Sequence, residues 1–260
     1  MNIVNKLTFP GKEKNEDFIW HNDYCAVLFD GATSLVKGDL DAVDFINLFI
    51  NTFESKVSKN KTLVQAINET LSIIKNSQPH NDSLEYFPSA AAVFVLEKES
   101  TVELVNIGDC TAVVNENKQH IIRAKDSVQP LDTLVTNRMR ELHLSSGKDT
   151  IDILMEPEIR EMLLKNRKKM NTEDGYKVLS FNTLPVSDSE LHTFNKNDTN
   201  CIVLYSDGFD LLEDEIINGN DDFSSLYDKL RKIENEDCKL NKHPRFKISD
   251  DASIMKITFS

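Results

Sequence analysis

The sequence predicts an α+β fold in which antiparallel sheets lie between helical layers. Three observations carry that reading. Apolar runs of strand length, rich in Val, Ile, Leu and Phe, are grouped at 18–30, 90–124 and 176–206. Stretches of helical periodicity lie between the groups, at 38–59, 62–76, 131–170 and 222–234. Strands gathered in groups, rather than alternating singly with helices, favour antiparallel sheets covered by helices.

In chain order, Phe18-Ile19-Trp20 and the run 24–30 flank His21-Asn22-Asp23, a hairpin signal in which His21 and Asp23 read as a solvated turn. From Gly38 to Lys59 the apolar residues recur at 40, 43, 46, 49, 50, 53 and 57, with Asp39 and Asp41 suited to a first helical turn. Leu63, Ile67, Leu71 and Ile74 mark a second helix over 62–76, and a polar loop over 77–88 ends at Pro88. The segments 90–96, 101–107, 110–114 and 119–124 then read as an antiparallel meander, with Gly108-Asp109 and Asn115-Glu116-Asn117 as turns. The charged stretch 131–170 reads as helical, one helix opening at Glu156-Pro157. The basic run Lys165-Asn166-Arg167-Lys168-Lys169 reads as a solvated helix face. Strands follow at 176–181, 191–194 and 201–206, then a helix at 222–234 with Leu226, Leu230 and Ile233 on one face. The last strand, 252–259, places Ile254, Lys256 and Thr258 on one face and Met255, Ile257 and Phe259 on the other.

Composition narrows the function classes. Apolar residues at 40% and charged residues at 28% describe an ordinary soluble globular chain of 260 residues, ample for a core. The net charge of −13 disfavours nucleic acid and anionic membrane as partners. No apolar run approaches a membrane span, and the first residues lack a secretory apolar segment. Cys25, Cys110, Cys201 and Cys238 show no Cys-x-x-Cys spacing and are expected to be reduced, in keeping with a cytoplasmic location. No internal period marks a repeat protein.

The chemistry lies in the ends of the apolar runs. Ala-Val-Leu-Phe-Asp-Gly at 26–31 and Ile-Val-Leu-Tyr-Ser-Asp-Gly at 202–208 both stop at Asp-Gly. One such pair is an ordinary turn. Here, however, Glu16 and Asp17, Asp30, Asp109, Asp126, Asp207 and Asp250 all stand at strand ends. Carboxylates presented by rigid strands suit hard cations such as Mn²⁺ and Mg²⁺. A pair of such cations acidifies water and neutralises phosphate oxygens, which favours phosphoester hydrolysis.

Taken in order, Lys12-x-x-Asn15-Glu16-Asp17, Phe29-Asp30-Gly31, Pro88-Ser89-Ala90-Ala91, Ile107-Gly108-Asp109, Ser206-Asp207-Gly208 and Asp250-Asp251-Ala252-Ser253 resemble the motifs of the metal-dependent protein phosphatases, the PPM or protein phosphatase 2C family, in its single-domain bacterial form. The resemblance runs from about residue 10 to the end of the chain. It implies a four-layer sandwich of two central antiparallel sheets flanked by helices, one phosphatase domain over 1–260, with 131–170 as its variable flap-like insert. It implies a serine/threonine phosphoprotein phosphatase that uses two Mn²⁺ or Mg²⁺ ions, with a weaker third. In that pattern Asp30 bridges the two ions and the Gly31 carbonyl reaches one of them. Asp207 and Asp250 complete one ion's shell. Glu16 and Asp17 hold the other, partly through water, and Asp126 joins Asp207 at the third. The meander residue Asp109 counts as a structural turn. The implied partners are a phosphorylated protein and a cognate Ser/Thr kinase.

Two departures bear on activity. Lys12 stands where the family places the arginine that grips substrate phosphate; lysine keeps the charge and loses the bidentate fork, so weaker phosphate binding or a different anchor is expected. Ala32-Thr33-Ser34 replaces a glycine-rich turn. The alternative reading is therefore a catalytically weak or inactive binding module of the same fold; intact Asp30, Asp207 and Asp250 favour the enzyme. Other phosphatase chemistries fail on residues. The positions six beyond each cysteine hold Gly31, Glu116, Asp207 and Pro244, not the arginine of a cysteine phosphatase. Neither Asp30 nor Asp207 begins an Asp-x-Asp pair, and no serine sits in Gly-x-Ser-x-Gly.

Overall fold

The computed structural model describes all residues except 12, 78–82, 117, 125–128, 241 and 260. Ten strands form two five-stranded antiparallel sheets among the described residues. The first sheet has the order β1 (Asn2–Phe9), β10 (Ala252–Thr258), β9 (Cys201–Tyr205), β6 (Thr111–Asn115), β7 (Gln119–Arg123). The second has the order β2 (Phe18–His21), β3 (Cys25–Ala32), β4 (Ser89–Glu97), β5 (Thr101–Ile107), β8 (Leu191–Asn195).

The uninterrupted apolar runs follow from burial on both faces. In β3, Cys25, Val27 and Phe29 pack against helices α1 (Ala42–Glu54) and α2 (Leu63–Lys75) through Phe45, Phe49 and Ile67. The alternate residues Ala26 and Leu28 face the other sheet and meet Ala112, Leu204 and Met255. Strand β4 repeats the division, with Ala92 and Phe94 toward the helices and Val93 and Val95 toward the sheet. Outside the first sheet, Val203, Tyr205 and Ile254 pack on α6 (Glu213–Ile217) and α7 (Phe223–Glu236) through Ile216, Leu226 and Leu230. The result is the four-layer sandwich with helices outside. Capping boxes start the first two helices, Asp41 with Asp44 and Thr62 with Gln65. Asp41 is thus the residue before the first turn of α1, and the helix begins four residues after Gly38.

Four sequence expectations are corrected. Strand β1 was not foreseen. It is an edge strand whose residues are mostly exposed, only Ile3 and Leu7 reaching the cores, and its register against β10 shifts between Ile3 and Asn5, so no alternation survives in the sequence. The meander over 90–124 is two hairpins in different sheets, because the chain crosses from one sheet to the other at Gly108-Asp109. The strand expected over 176–181 is reduced to isolated bridges, Ala90 with Leu179 and Met170 with Tyr176. The basic run at 165–169 is not wholly solvated. Lys165 and Lys168 are exposed, but Arg167 turns inward and donates from Nη1 to Ser89 Oγ (2.9 Å) and from Nη2 to the Phe87 and Ala32 carbonyls.

The charged segment forms α3 (Gln129–Ser146), α4 (Thr150–Leu154) and α5 (Pro157–Arg167) around a small core of Val135, Met139, Ile153 and Ile159. Phe246, from the segment between α7 and β10, packs against that core. All four cysteines are free, and three of them are buried. Among the described residues, no helix is long and apolar enough to cross a membrane.

Candidate functional site

The ends of β3, β9 and the approach to β10 meet at one edge of the sandwich, around a cavity of about 430 Å³. Glu16, Asp30, Gly31, Asp207 and Asp250 line it, so the two sheets deliver their terminal acids to one place. Asp30 is the antepenultimate residue of β3, paired across to Ala91. Asp207 follows β9 after Ser206, and Asp250 lies two residues before β10. Asp109, set aside above as a turn residue, also lines the cavity, as does Asp132 from the first turn of α3. What brings Asp109 there is the crossing between sheets, which the sequence read as a hairpin. Lys12 and Asp126 lie outside the described residues.

Both Asp-Gly pairs owe their glycine to close packing. A Cβ on Gly31 would stand 2.4 Å from the Glu16 carbonyl oxygen, and one on Gly208 would stand 2.0 Å from that of Asp251. Each glycine lets another metal-candidate segment run directly against the acid-bearing strand end. The Asn-Glu-Asp loop is folded by its own first residue, whose Oδ1 accepts from the Asp17 amide at 3.0 Å. Glu16 then faces the cavity, where Thr33 Oγ1 donates to its Oε1. Asp17 is buried close behind the acids, outside the cavity lining. Its Oδ2 accepts from Ser206 Oγ at 2.7 Å, and Ser206 Oγ in turn accepts from the Ser253 amide at 3.0 Å.

Asp251 ties the loop down. Its Oδ1 accepts from the Gly11 amide and its Oδ2 from the Glu16 amide, both at 2.7 Å. Neither Ser206 nor Asp251 had been given a role from the sequence beyond its place in a motif; a polar residue beside a motif acid was the only signal available. Truncating Asp251 to Ala leaves two amides without their charged acceptor. We expect a loss of about 3 kcal/mol in denaturant unfolding, with Asn, which keeps one acceptor oxygen, near half of that. Equal stability of Asp251→Ala and wild type would show that these bonds do not hold the loop.

The acids crowd one another. Burial, followed by the charges of Asp207, Asp17 and Asp109, pushes Asp30 well above the ordinary carboxylate range. Asp207 moves the same way, through desolvation and then through Asp250 and Asp109. Asp207 keeps an open side toward the cavity, so the crowding of acids is the cause that persists there however much water enters. The charge of Asp207 is the largest of the carboxylate effects on Asp30, which sets the two acids as close neighbours in the cavity. Asp17 is raised to about 7, mainly by burial, against the opposing effect of the Ser206 and Ser253 hydrogen bonds. On the rim, Lys247 Nζ donates to Asp250 Oδ1 at 2.6 Å; burial works against the ammonium charge, and the facing carboxylate outweighs it and holds the group above its usual range.

No three acid, His or Cys side chains stand together as a ready-made cation site among the described residues. The donor set nonetheless fits a hard divalent cation. It is all oxygen, it carries mutually repelling charge, and Asp17 Oδ1 is buried with no hydrogen-bond partner.

Comparison with known proteins gives concordant results. The family model described as Protein phosphatase 2C matches residues 15–243. No curated protein sequence matches the chain. Among solved structures, the serine/threonine phosphatase PstP/Ppp of Mycobacterium tuberculosis is similar with a TM-score of 0.56 at 15% identity, over 98% of this chain and 98% of that one. Serine/threonine phosphatase Stp1 from Staphylococcus aureus gives 0.56 at 16% identity, over 100% and 96%. The PPM Ser-Thr phosphatase MsPP from Mycobacterium smegmatis, in complex with cacodylate, gives 0.55 at 12% identity, over the whole of both chains. At such identities these structures share the fold.

Proposed function

Since the chain belongs to the protein phosphatase 2C family, we propose that it is a metal-dependent phosphoprotein phosphatase, one that hydrolyses phosphoserine and phosphothreonine. The observation that carries this reading is the meeting of Asp30 and Asp207. These are strand-end acids from different sheets, brought together in one cavity that Glu16 and Asp250 also line.

Asp30, central among the acids, would contact both of two ions, with the Gly31 carbonyl beside it. Asp207 and Asp250 would serve one ion, Glu16 and Asp17 the other, and Asp126 with Asp207 a weaker third. Bound Mn²⁺ or Mg²⁺ would supply acidified water and screening of the phosphate oxygens. Asp30 and Asp207, both raised in the metal-free protein, would have to ionise to hold such ions, so metal uptake would release protons. Ser206 keeps Asp17 oriented, and Asp251 keeps the Glu16 amide, and with it the loop, in place. Helices α3–α5 border the cavity through Asp132, Leu154, Leu163 and Arg167, and this segment would flank a docked phosphorylated protein. A Ser/Thr kinase would generate that substrate.

The test is phosphate release from phosphoserine and phosphothreonine peptides, with Mn²⁺, with Mg²⁺ and with EDTA. Release with either cation, abolished by EDTA, is the expected result. No release under any cation, with calorimetry showing no metal binding, would remove the enzyme reading and leave a binding module.

A further inference from the structure

The segment between α7 and β10 brings a cation to the cavity that no motif contains. We propose that Lys247 is the phosphate anchor of this chain, the group that binds the non-bridging oxygens of a phosphate monoester; this rests on the phosphatase reading above. The cavity is lined by three cationic side chains among the described residues, Arg167, Lys177 and Lys247. Two are already committed. Arg167 spends both terminal nitrogens on Ser89 Oγ and on the Phe87 and Ala32 carbonyls, and its Nε is buried out of reach of solvent. Lys177 Nζ donates to both Glu190 oxygens, at 2.9 and 2.8 Å, and to the Pro185 carbonyl at 3.1 Å, which uses all three of its protons.

Lys247 differs. Its ammonium donates to Asp250 Oδ1, and its side chain keeps 37% of its surface open. The partner is itself a candidate metal ligand. When Asp250 turns its charge to a cation, Lys247 stands at the same place with donors to offer, beside the position a phosphate must occupy to meet ions held by Asp30, Asp207 and Asp250. A lysine binds phosphate as a point charge and needs no bidentate geometry.

The segment is built to hold that position. Arg245 straps it, donating to Asp237 Oδ2 (3.2 Å) and to the carbonyls of Glu234 (3.2 Å), His243 (2.8 Å) and Ile248 (3.0 Å). Phe246 packs into the core of α3–α5, and Arg231 Nη2 holds the Asp250 carbonyl at 2.8 Å. Lys247 is therefore presented by a fixed strap rather than by a free loop, which lowers the ordering cost of binding.

The experiment compares wild type, Lys247→Gln and Lys247→Arg. It reads KM and kcat for p-nitrophenyl phosphate in Mn²⁺, the inhibition constant of inorganic phosphate, and calorimetric binding of phosphate and of Mn²⁺ alone. In Lys247→Gln we expect KM and the phosphate constants to rise about tenfold, with kcat changed much less; Arg restores them, and Mn²⁺ affinity is kept or tightened. Unchanged phosphate constants in an active Lys247→Gln, with only Mn²⁺ affinity altered, would show that Lys247 merely balances Asp250, and would overturn the proposal while leaving the phosphatase intact. Mn²⁺-dependent phosphate binding that weakens in Lys247→Gln, in a protein without turnover, would uphold the anchor and overturn the hydrolase. Absence of phosphate binding in wild type would overturn the anchor outright.

Discussion

Replacing Asp30 by Asn is expected to lower Mn²⁺-dependent hydrolysis of p-nitrophenyl phosphate by about a thousandfold, equivalent to roughly 4 kcal/mol of transition-state stabilisation. The proposed centre places Asp30 in contact with both ions. The amide removes one negative charge where two cations must be held close together. Folding is expected to survive, because the amide matches the carboxyl in shape. Its N–H₂ can also donate to a neighbouring carboxylate such as Asp207. Removing one of several mutually repelling acids makes the metal-free variant at least as stable as wild type at pH 8. The checks are steady-state kinetics across Mn²⁺ concentrations and thermal unfolding with and without the ion. Turnover near that of wild type would show that Asp30 does not bridge. A variant that fails to fold would show that the Asp30 carboxyl carries structure.

The metal-free protein should lose about 4 kcal/mol of stability as pH rises from 4 to 8, through Asp17 alone. The folded value of about 7 lies above the unfolded value of 3.8, so the folded state binds the extra proton between them. Stability is therefore fully present below the unfolded value and is lost as pH climbs through 7. Asp30 and Asp207 are shifted in the same direction and steepen the loss. Asp41 is shifted the other way by the Lys14 hydrogen bond, so its contribution falls away only on the acid side. In the window from pH 5 to 8 the cluster is opposed by His21, which burial lowers so that its contribution grows with pH, and the difference between wild type and Asp17→Asn isolates the Asp17 share. Denaturant unfolding of EDTA-treated protein at several pH values measures the slope, and Asp17→Asn should flatten it. A wild-type profile that is level, or that rises, over this window would contradict the burial of an uncompensated Asp17 carboxylate.

The acids of the candidate centre were legible as strand-end carboxylates because that signal is local. Asp30 and Asp207 each end an apolar run, and a run buried on both faces has to end at the rim of the core. That helices cover antiparallel sheets was legible for the same reason, while the four-layer order came from the family resemblance. Helix starts were readable to within a few residues, because a cap is written into neighbouring positions. By contrast, β1 gave no pattern of its own, as an edge strand owes its pairing to β10 at the far end of the chain.

What the sequence by itself determined, then, is which residues are buried, which acids stand at the ends of buried strands, and that their chemistry suits hard cations. Only the tertiary structure decided which ends meet. The crossing at Gly108-Asp109 carries Asp109 into the cavity, the inward turn of Arg167 ties α5 to the Ala32 carbonyl, and the strap through Arg245 and Phe246 sets Lys247 beside Asp250. The physical reason is range. Periodicity, caps and strand termini express interactions between residues a few positions apart. Ser206 with Asp17 and Asp251 with Glu16 join residues separated by 189 and 235 positions, and exist only once both sheets have closed on each other.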